Sequence, residues 1–595
     1  MQKAICQRII NKELLYSIPG YVYFLYLLFP FRFWESFVFP NQTETVVISV
    51  YFVCILLLFF SLKAYKTVAF QFNKIDLFLA LYGIYLLCRL RYPVEKEYLF
   101  QTFSIVGIYL YFRNLTEDQS KGLLFLLPIA GIIQIADGQN HFTMPWQNLS
   151  HIIGIFQNTG LFGGFVALGF VVCIGILFYW YPDKRHIQSM ALIVLAFILA
   201  KQIIASGSRA SWLATLGAIL FLLFRFVPRW KIHLKNRWLK YFLATSLLVL
   251  FVFFPKYLYE LKKDSAEGRL LIARVSMKMI KEAPVFGSGI SGFRAEYLNY
   301  QADYFQTHLG STWANLADDV ESPYNEFLKI LIEQGIIGLA LFFCLLYYLF
   351  EKETLEKRRR YILQSVVLSI LIFGLFSYPL DKLPFVALFV FSIAGLSINR
   401  NPVFTIHLQQ KNYFRIPLLF ASCLVSLIIA GNAYCYAKSC LAWNHAFTGF
   451  GHSKEKSILQ LKNLFPDLEN NPVFLTTYGR LLSFDGYCRE AVVVLEKAVK
   501  LQPLSFSYIE LGKNYEAEGF PEKALDCWKR AELMVPSRFT PQYLTMKLYF
   551  KNKKYDVARE YAERLLMKKI KIDNPEIGLM KREARDILNV HPPPE

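Results

Sequence analysis

The chain has few residues of the kinds that build metal or disulfide sites. Its 10 cysteines and 9 histidines are scattered over 595 residues, without a Cys-x-x-Cys pair or a Cys/His metal spacing. Most of the cysteines fall inside apolar runs, where they behave as small hydrophobic side chains. The segment Gly287-Ser288-Gly289 lacks the strand and helix that surround a dinucleotide-binding loop, and it favours a tight turn. We therefore predict no disulfide, no metal and no cofactor.

Charged residues are also scarce and unevenly placed. Only 18% of the residues are charged against 55% hydrophobic, and the mean hydropathy is +0.33. Apolar runs of about 20 residues, the length that crosses a bilayer, fill the chain to about residue 438 and then stop. The first run lacks a small-residue cleavage site, so we expect no cleavable signal peptide. The composition excludes a single soluble domain and predicts a polytopic membrane domain at 1–438 and a soluble domain at 439–595.

The membrane domain is predicted to be an all-α bundle of about 12 to 13 spans. Their centres lie near residues 25, 54, 82, 106, 129, 170, 196, 217, 249, 340, 370, 390 and 425. The net charge of +20 comes from basic residues between these runs, as the positive-inside rule produces, so we expect no nucleic-acid partner. With a cytoplasmic N-terminus, a large loop at about 260–325 and the C-terminal domain lie outside. In a bacterium this predicts an inner-membrane protein with a periplasmic C-terminal domain.

The C-terminal domain contains an internal repeat. Its small residues and its proline recur 33 residues apart, as from 479 to 512. The first set is Gly479, Gly486, Ala491, Leu495, Ala498 and Pro503, and the second is Gly512, Gly519, Ala524, Trp528, Ala531 and Pro536. Small residues where paired helices touch resemble tetratricopeptide repeats, so we predict an α-solenoid. It either binds a protein partner or acts as a structural cap.

Four polar motifs fall on the predicted outside face. They are Gly154-Ile155-Phe156-Gln157-Asn158, Ser206-Gly207-Ser208-Arg209, Gly268-Arg269 with Pro284-Val285-Phe286-Gly287-Ser288-Gly289, and Tyr324-Asn325-Glu326-Phe327-Leu328 with Glu333-Gln334-Gly335-Ile336-Ile337-Gly338. In this order they resemble motifs of the O-antigen ligase superfamily, which includes O-antigen ligases, O-antigen polymerases and bacterial O-oligosaccharyltransferases. The resemblance covers about residues 20–400 and leaves the repeats outside.

The resemblance implies transfer of a glycan from an undecaprenyl-diphosphate carrier to an acceptor hydroxyl. A diphosphate leaving group calls for fixed cations, and guanidinium binds phosphate oxygens in two-pronged fashion without a metal. Arg209 and Arg269 are the predicted catalytic cations. The predicted substrate-binding residues are Asn158, Arg274, Arg294 and Glu321. The alternatives are a snorkelling arginine at 209 and a solvated loop charge at 269.

Two positions depart from the family pattern. Gly160 stands where the first motif of the family has its second Asn. The family has His where this chain has Tyr324, and a phenol with a pKa near 10 is a poor base. Tyr324 and Asn325 are then expected to position the acceptor, while the base is His308, Glu326 or Glu321, with Asp319 also near the motif. A mechanism without a strong base is the other possibility.

The loop also has an amphipathic stretch at 274–283. Val275, Met279 and Ile280 share one helical face. This face would either lie on the bilayer beside the polyprenyl carrier or pack against the spans.

The leading functional hypothesis is a membrane glycosyltransferase. Its acceptor is lipid A-core, as in a ligase, or a periplasmic protein, as in an O-oligosaccharyltransferase, and a growing polymer is the alternative. The repeat domain favours a protein acceptor or partner. Two hypotheses come from other classes. A polysaccharide transporter or flippase should carry ionisable residues at mid-membrane depth. In a scaffold, Arg209 and Arg269 would be dispensable.

Overall fold

The protein is described by a computed structural model over residues 17–27, 41–66, 69–91, 93, 95–140, 156, 158–180, 186–226, 260, 262–351, 357–407, 415–571 and 574–589. The elements of the membrane part and its loop are α1 (17–27), α2 (Asn41–Lys66), β1 (Ala69–Phe72), α3 (Lys74–Cys88), α4 (Lys96–Arg113), α5 (Glu117–Asn140), α6 (Thr159–Trp180), α7 (His186–Ala205), α8 (Arg209–Phe226), α9 (Lys263–Glu282), α10 (Gly292–Thr307), α11 (Glu326–Phe350), α12 (Lys357–Gly374), α13 (Leu383–Ser397), β2 (Phe404–His407) and α14 (Arg415–Gly449). Short 3-10 turns lie at Thr312–Asn315 and Pro379–Asp381. The C-terminal helices are α15 (Lys454–Leu468), α16 (Pro472–Phe484), α17 (Cys488–Leu501), α18 (Ser505–Ala517), α19 (Pro521–Met534), α20 (Thr540–Lys551), α21 (Tyr555–Met567) and α22 (Pro575–Asn589).

The all-α membrane class is confirmed, with one small addition. Twelve of the predicted span centres lie in helices, and the centre near 249 lies outside the described residues. Seven described helices are long and apolar enough to cross a membrane, namely α2, α5, α6, α7, α8, α11 and α14. The helices at the other predicted span centres do not meet these criteria. Some are apolar but short, such as α13, and α12 begins with the charged run Lys357-Arg358-Arg359-Arg360. The addition is an antiparallel pair of strands, β1 and β2, in which Ala69 lies opposite His407.

The core of the bundle is formed around α6 and α13. Almost every side chain of α13 is buried, and α6 buries residues on all sides, which is typical of helices surrounded by other helices. Phe165 of α6 and Phe373 of α12 both pack on Phe385 of α13, with ring centroids 5.8 and 5.9 Å apart. The helices around the site therefore share one close-packed aromatic centre.

The bundle has two chemically different ends. One, the loop end, carries residues 89–91, 93 and 95, the turn at 206–208, the segment 262–325 and the turn at 375–382. The opposite end carries the strand pair and the ion pairs Arg113–Asp76 (3.0 Å), Arg359–Glu117 (3.6 Å) and Arg400–Glu351 (3.6 Å). Which end faces the periplasm stays a prediction.

The predicted large loop is a small helical unit. Helices α9 and α10 enclose a core in which Val275 and Met279 are buried with Phe293 and Tyr297. The prediction that the face bearing Val275 and Met279 lies on the bilayer is wrong, because that apolar surface is already covered. This face of α9 packs mainly against α10 and the end of α19, and α9 also contacts the span α11.

The C-terminal region consists of successive packed helices. Helix α14 runs without a break through the predicted boundary at 438–439 and ends at Gly449. The residues that recur at the 33-residue spacing meet between paired helices: a Cβ on Gly479 would lie 2.6 Å from Leu495 Cγ, and one on Gly512 would lie 2.3 Å from Trp528 Nε1. The close approach of each pair explains the recurring glycine. The likeness to tetratricopeptide repeats stays a prediction.

We expect Gly512→Ala to lower the stability of the C-terminal region by about 1–3 kcal/mol, because the added methyl group overpacks the helix pair. The matched control is Gly578→Ala in α22, where a Cβ meets nothing within 4 Å and alanine favours the helix. Thermal unfolding of the purified full chain would measure both. A Gly512→Ala midpoint equal to that of Gly578→Ala would contradict the packing assignment.

Candidate functional site

Three of the sequence motifs cap helices that begin at the loop end. Asn158 Oδ1 accepts hydrogen bonds from the backbone N–H groups of Gly160 (2.8 Å) and Leu161 (3.1 Å) at the start of α6. Ser208 Oγ accepts from the N–H of Ser211 in α8 (3.3 Å), and Asn325 Oδ1 accepts from the N–H of Leu328 in α11 (3.0 Å). These side chains hold three helix N-termini, whose dipoles favour a negative charge.

The first two of these helix starts are in direct contact. Ser211 Oγ donates to the carbonyl oxygen of Gly160 (3.4 Å), and a Cβ on Gly163 would lie 2.4 Å from Ser206 Oγ. The start of α9 joins them, because Lys262 Nζ donates to the carbonyl oxygen of Gly207 (3.2 Å). In return, Arg209 Nη2 donates to the carbonyl oxygen of Lys262 (3.4 Å). Motifs that are far apart in the chain therefore meet at one end of the bundle.

Arg209 and Arg269 lie close together in this region, and both are half-buried. Burial lowers the pKa of Arg269, and the nearby positive charge of Arg209 lowers it further. Arginine still stays protonated at neutral pH. Two like charges in a partly desolvated place repel each other unless an anion lies between or beside them. The pair is thus suited to bind a phosphate group.

Tyr324 lies beside Arg269 in a strained backbone conformation. Its φ of +54° falls in the left-handed region, which a bulky residue occupies only when its surroundings hold it there. The Cζ atom of Arg269 is 5.7 Å from the centroid of the Tyr324 ring. Burial raises the pKa of Tyr324, and Arg269 offsets this only in part. The phenol therefore stays protonated near neutral pH and is suited to positioning rather than to proton abstraction.

Sequence reasoning missed Tyr378 and Lys382. The rings of Tyr378 and Tyr324 meet edge to face with centroids 5.3 Å apart, and Lys382 Nζ is 5.5 Å from the centroid of the Tyr378 ring. Burial lowers the pKa of Lys382 and raises that of Tyr378 to about 12. The available signal was a lysine in a short turn between two apolar helices on the predicted outside face. The contact of Tyr378 with Tyr324 could not be read from the sequence.

The turn that carries Tyr378 and Lys382 is anchored to α11 by buried polar groups. Glu326, only 6% exposed, accepts a hydrogen bond from the backbone N–H of Leu380 at Oε1 (2.7 Å). One turn further along α11, Lys329 forms an ion pair with Asp381. Glu326 thus anchors the backbone of this turn through Oε1. Its contacts account for a positioning role.

The two glycine motifs of the loop bind each other. Helix α11 is kinked at Gly335, where φ is +65° and ψ is −168°. The kink frees the carbonyl oxygens of Ile332 and Glu333, which accept from the N–H groups of Ser288 (2.8 Å) and Gly289 (2.9 Å). This contact fixes the end of α9 on α11. It therefore sets where Arg269 lies relative to Tyr324.

The other predicted residues are exposed or are held by other contacts. His308 is exposed and stacks on Tyr304 with ring centroids 4.2 Å apart, at the far end of α10. Arg274 is exposed on α9 and has no ion pair among the described residues. Arg294 pairs with Glu95 (3.3 Å) and with Glu321 (3.9 Å).

These ion pairs shift the pKa of Arg294. Burial lowers its pKa, but Glu95 and Glu321 outweigh that effect and raise it overall. Glu321 is the exposed member of the group, and its charge also raises the pKa values of Tyr324 and Tyr378. Glu321 is therefore an exposed carboxylate whose charge acts on both rings. Within the described ranges, no three His, Cys, Asp or Glu side chains are grouped to hold a metal ion.

Part of the chain, including most of the residues described above, is similar to known proteins. Residues 194–343, which include Arg209, Arg269, Tyr324 and both glycine motifs of the loop, match the family described as O-antigen ligase. A candidate polysaccharide ligase of Rickettsia conorii is 30% identical over 211 residues, which are 33% of this chain and 46% of that protein. A protein of the same description from Rickettsia felis is 27% identical over 231 residues, 36% of this chain and 52% of the relative.

The chain thus spans about half the length of the curated relatives that it matches. Neither comparison extends over the greater part of the chain. Over these parts the chain is similar to O-antigen ligases and to polysaccharide ligases, and its apolar helices indicate a multi-pass membrane protein.

Proposed function

We propose that this protein is a membrane glycosyltransferase that moves a glycan from an undecaprenyl-diphosphate carrier to an acceptor hydroxyl on the periplasmic side. The observation that carries the proposal is the pair Arg209 and Arg269, two half-buried cations from different helices beside capped helix N-termini. Such a place suits a diphosphate, because guanidinium groups and helix N-termini both bind phosphate oxygens. The match to the O-antigen ligase family supports the same reading.

In the proposed reaction the acceptor oxygen attacks the anomeric carbon of the glycan. The bond between that carbon and the phosphate oxygen breaks, and undecaprenyl diphosphate leaves with the bonding electrons. Arg209 and Arg269 stabilise the charge that develops on the departing diphosphate. Tyr324 and Tyr378 position the sugar or the acceptor beside the diphosphate. Asn325 and Asn158 act through the helix starts that they cap.

The acceptor proton needs a base, and Glu321 fits best among the predicted candidates. His308 stacks on Tyr304, and Glu326 is buried with its Oε1 bound to the backbone N–H of Leu380. Glu321 is exposed and its charge acts on both rings. A carboxylate within reach of the hydroxyl can take the proton as the bond forms.

The test is transfer by the purified, reconstituted full chain supplied with an undecaprenyl-diphosphate-linked glycan. Two acceptors are offered, a lipid A-core preparation and a mixture of periplasmic proteins. A glycan on the lipid indicates a ligase, one on protein indicates an O-oligosaccharyltransferase, and longer chains on the carrier indicate a polymerase. We expect Arg209→Ala to insert normally and to transfer nothing detectable. Absence of all three products, or transfer by Arg209→Ala at the wild-type rate, would refute the proposal.

A further inference from the structure

The C-terminal helices contact the loop through an acidic segment, residues 318–321, which lies directly before Tyr324. Asp319 is the centre of the contact, with 14% of its side chain exposed. It accepts hydrogen bonds from the N–H of Ser505 (3.1 Å), from Ser505 Oγ (2.7 Å) and from Arg538 Nη2 (2.7 Å). Because Ser505 is the first residue of α18, the carboxylate of Asp319 caps that helix from another part of the chain.

The rest of the acidic segment is held in the same way. Asp318 lies 3.9 Å from Arg538 and 3.8 Å from Lys571, and Glu321 accepts from Gln502 Nε2 (3.4 Å). Gln301 of α10 is 1% exposed, and its Nε2 donates both to the carbonyl oxygen of Asp318 (3.2 Å) and to that of Met534 at the end of α19 (2.6 Å). Every carboxylate of the acidic segment therefore contacts the C-terminal helices.

The link from the acidic segment to the site is short and stiff. Only four residues separate Asp319 from Tyr324, and among them Ser322 and Pro323 are buried. Proline restricts the backbone on both of its sides. Tyr324 follows in its left-handed conformation, which needs support from outside the residue itself. A shift at Asp319 is therefore passed to Tyr324 and Glu321.

We propose that the C-terminal helices act as a clamp on the catalytic loop, with Asp319 as the positioning residue that holds Tyr324 and Glu321 in the site. This inference rests on the proposed function for its catalytic consequence. It also gives the C-terminal domain a role within the chain, because the surface around Ser505 and Arg538 is occupied by the loop. A protein partner would have to bind elsewhere on that domain.

The test compares two variants of the same chemistry at one interface. Asp319→Asn weakens the clamp, whereas Asp303→Asn removes the ion pair of Asp303 with Arg530 (2.8 Å), which joins α10 to α19 away from the acidic segment. We expect Asp319→Asn to lower kcat for glycan transfer about ten- to hundredfold, since a displacement of about 1 Å is enough for such a loss. KM for the carrier should change by less than about threefold, because the phosphate contacts remain. Asp303→Asn should stay within about twofold of the wild type.

Hydrogen exchange gives a readout that does not depend on catalysis. We expect faster amide exchange over residues 316–326 in Asp319→Asn and not in Asp303→Asn. If Asp319→Asn does not fold, Ser505→Ala replaces it in the test. That variant removes the hydroxyl donor to Asp319 and keeps the backbone N–H donor of residue 505. Asp319→Glu should restore part of the activity, as it keeps the charge.

Two outcomes separate this inference from the proposed function. A wild-type chain that transfers no glycan refutes the function, and the exchange data then decide on the clamp alone. An active wild type in which Asp319→Asn and Asp303→Asn behave alike, in both transfer and exchange, overturns the clamp.

Discussion

Arg269→Ala should reduce glycan transfer by a factor of about 10² to 10³, the loss that follows removal of one preorganised charge-stabilising group. The physical reason is that Arg269 is half-buried beside Arg209 and Tyr324, so its charge acts where little water screens it. Initial rates with the reconstituted chain and a lipid-linked glycan would measure the effect. Arg269→Lys should recover only part of the activity, because an ammonium group cannot form the two-pronged contact.

The control for this prediction lies on the same helix. Arg274 is exposed on α9, five residues beyond Arg269, and Arg274→Ala should keep transfer within about twofold of the wild type, as surface substitutions usually do. Equal rates for the two alanine variants would show that Arg269 is a solvated loop charge. Loss of transfer in both would move the anion site along α9 and would make Arg274 part of it.

Gly287→Ala and Gly335→Ala should each destabilise the protein by about 2–4 kcal/mol and abolish transfer. Both glycines have a positive φ, and their backbones touch: a Cβ on Gly287 would lie 2.4 Å from the carbonyl carbon of Glu333, and one on Gly335 would lie 2.2 Å from the carbonyl oxygen of Val285. Neither contact can relax without breaking the hydrogen bonds that join the two motifs. Thermal unfolding and transfer rates of the purified variants would measure both effects.

Two further variants sharpen the glycine prediction. Gly268→Ala, where a Cβ meets nothing within 4 Å, should leave stability unchanged or slightly raised. The double variant of Gly287 and Gly335 should lose less than the sum of the single losses, because both substitutions disrupt one contact. Full additivity, or an unfolding midpoint for either single variant equal to that of Gly268→Ala, would contradict this account of the kink.

The membrane class could be predicted from the sequence because it depends on local composition. An apolar run of span length forms a helix wherever it lies in the chain, since the bilayer leaves the backbone no other partner. The same is true of the repeat spacing around Gly479 and Gly512, which marks helix contacts between neighbours in the chain. The strand pair of β1 and β2 was missed because its residues, 69–72 and 404–407, are remote in sequence.

The residue types of the candidate site could be recognised in the sequence, but their arrangement could not. Four motifs, including Arg209, Arg269 and Tyr324, were recognised by residue type and order. The roles of Tyr378 and Lys382 were not, because a lysine in a short turn has no local signature that distinguishes a site from a surface. For His308 the sequence offered only the right residue type near the motif, and the structure places it on Tyr304 at the far end of α10.

By itself, then, the sequence determined the helical membrane class and the repeat spacing, because each depends on neighbours in the chain. It also indicated residue types that suit a diphosphate. The tertiary structure alone decided that Gly335 kinks α11 to receive Gly287, and that Asp319 caps α18. It also decided that Tyr378 meets Tyr324. These contacts join segments that are tens to hundreds of residues apart, and their geometry follows from packing that no local pattern encodes.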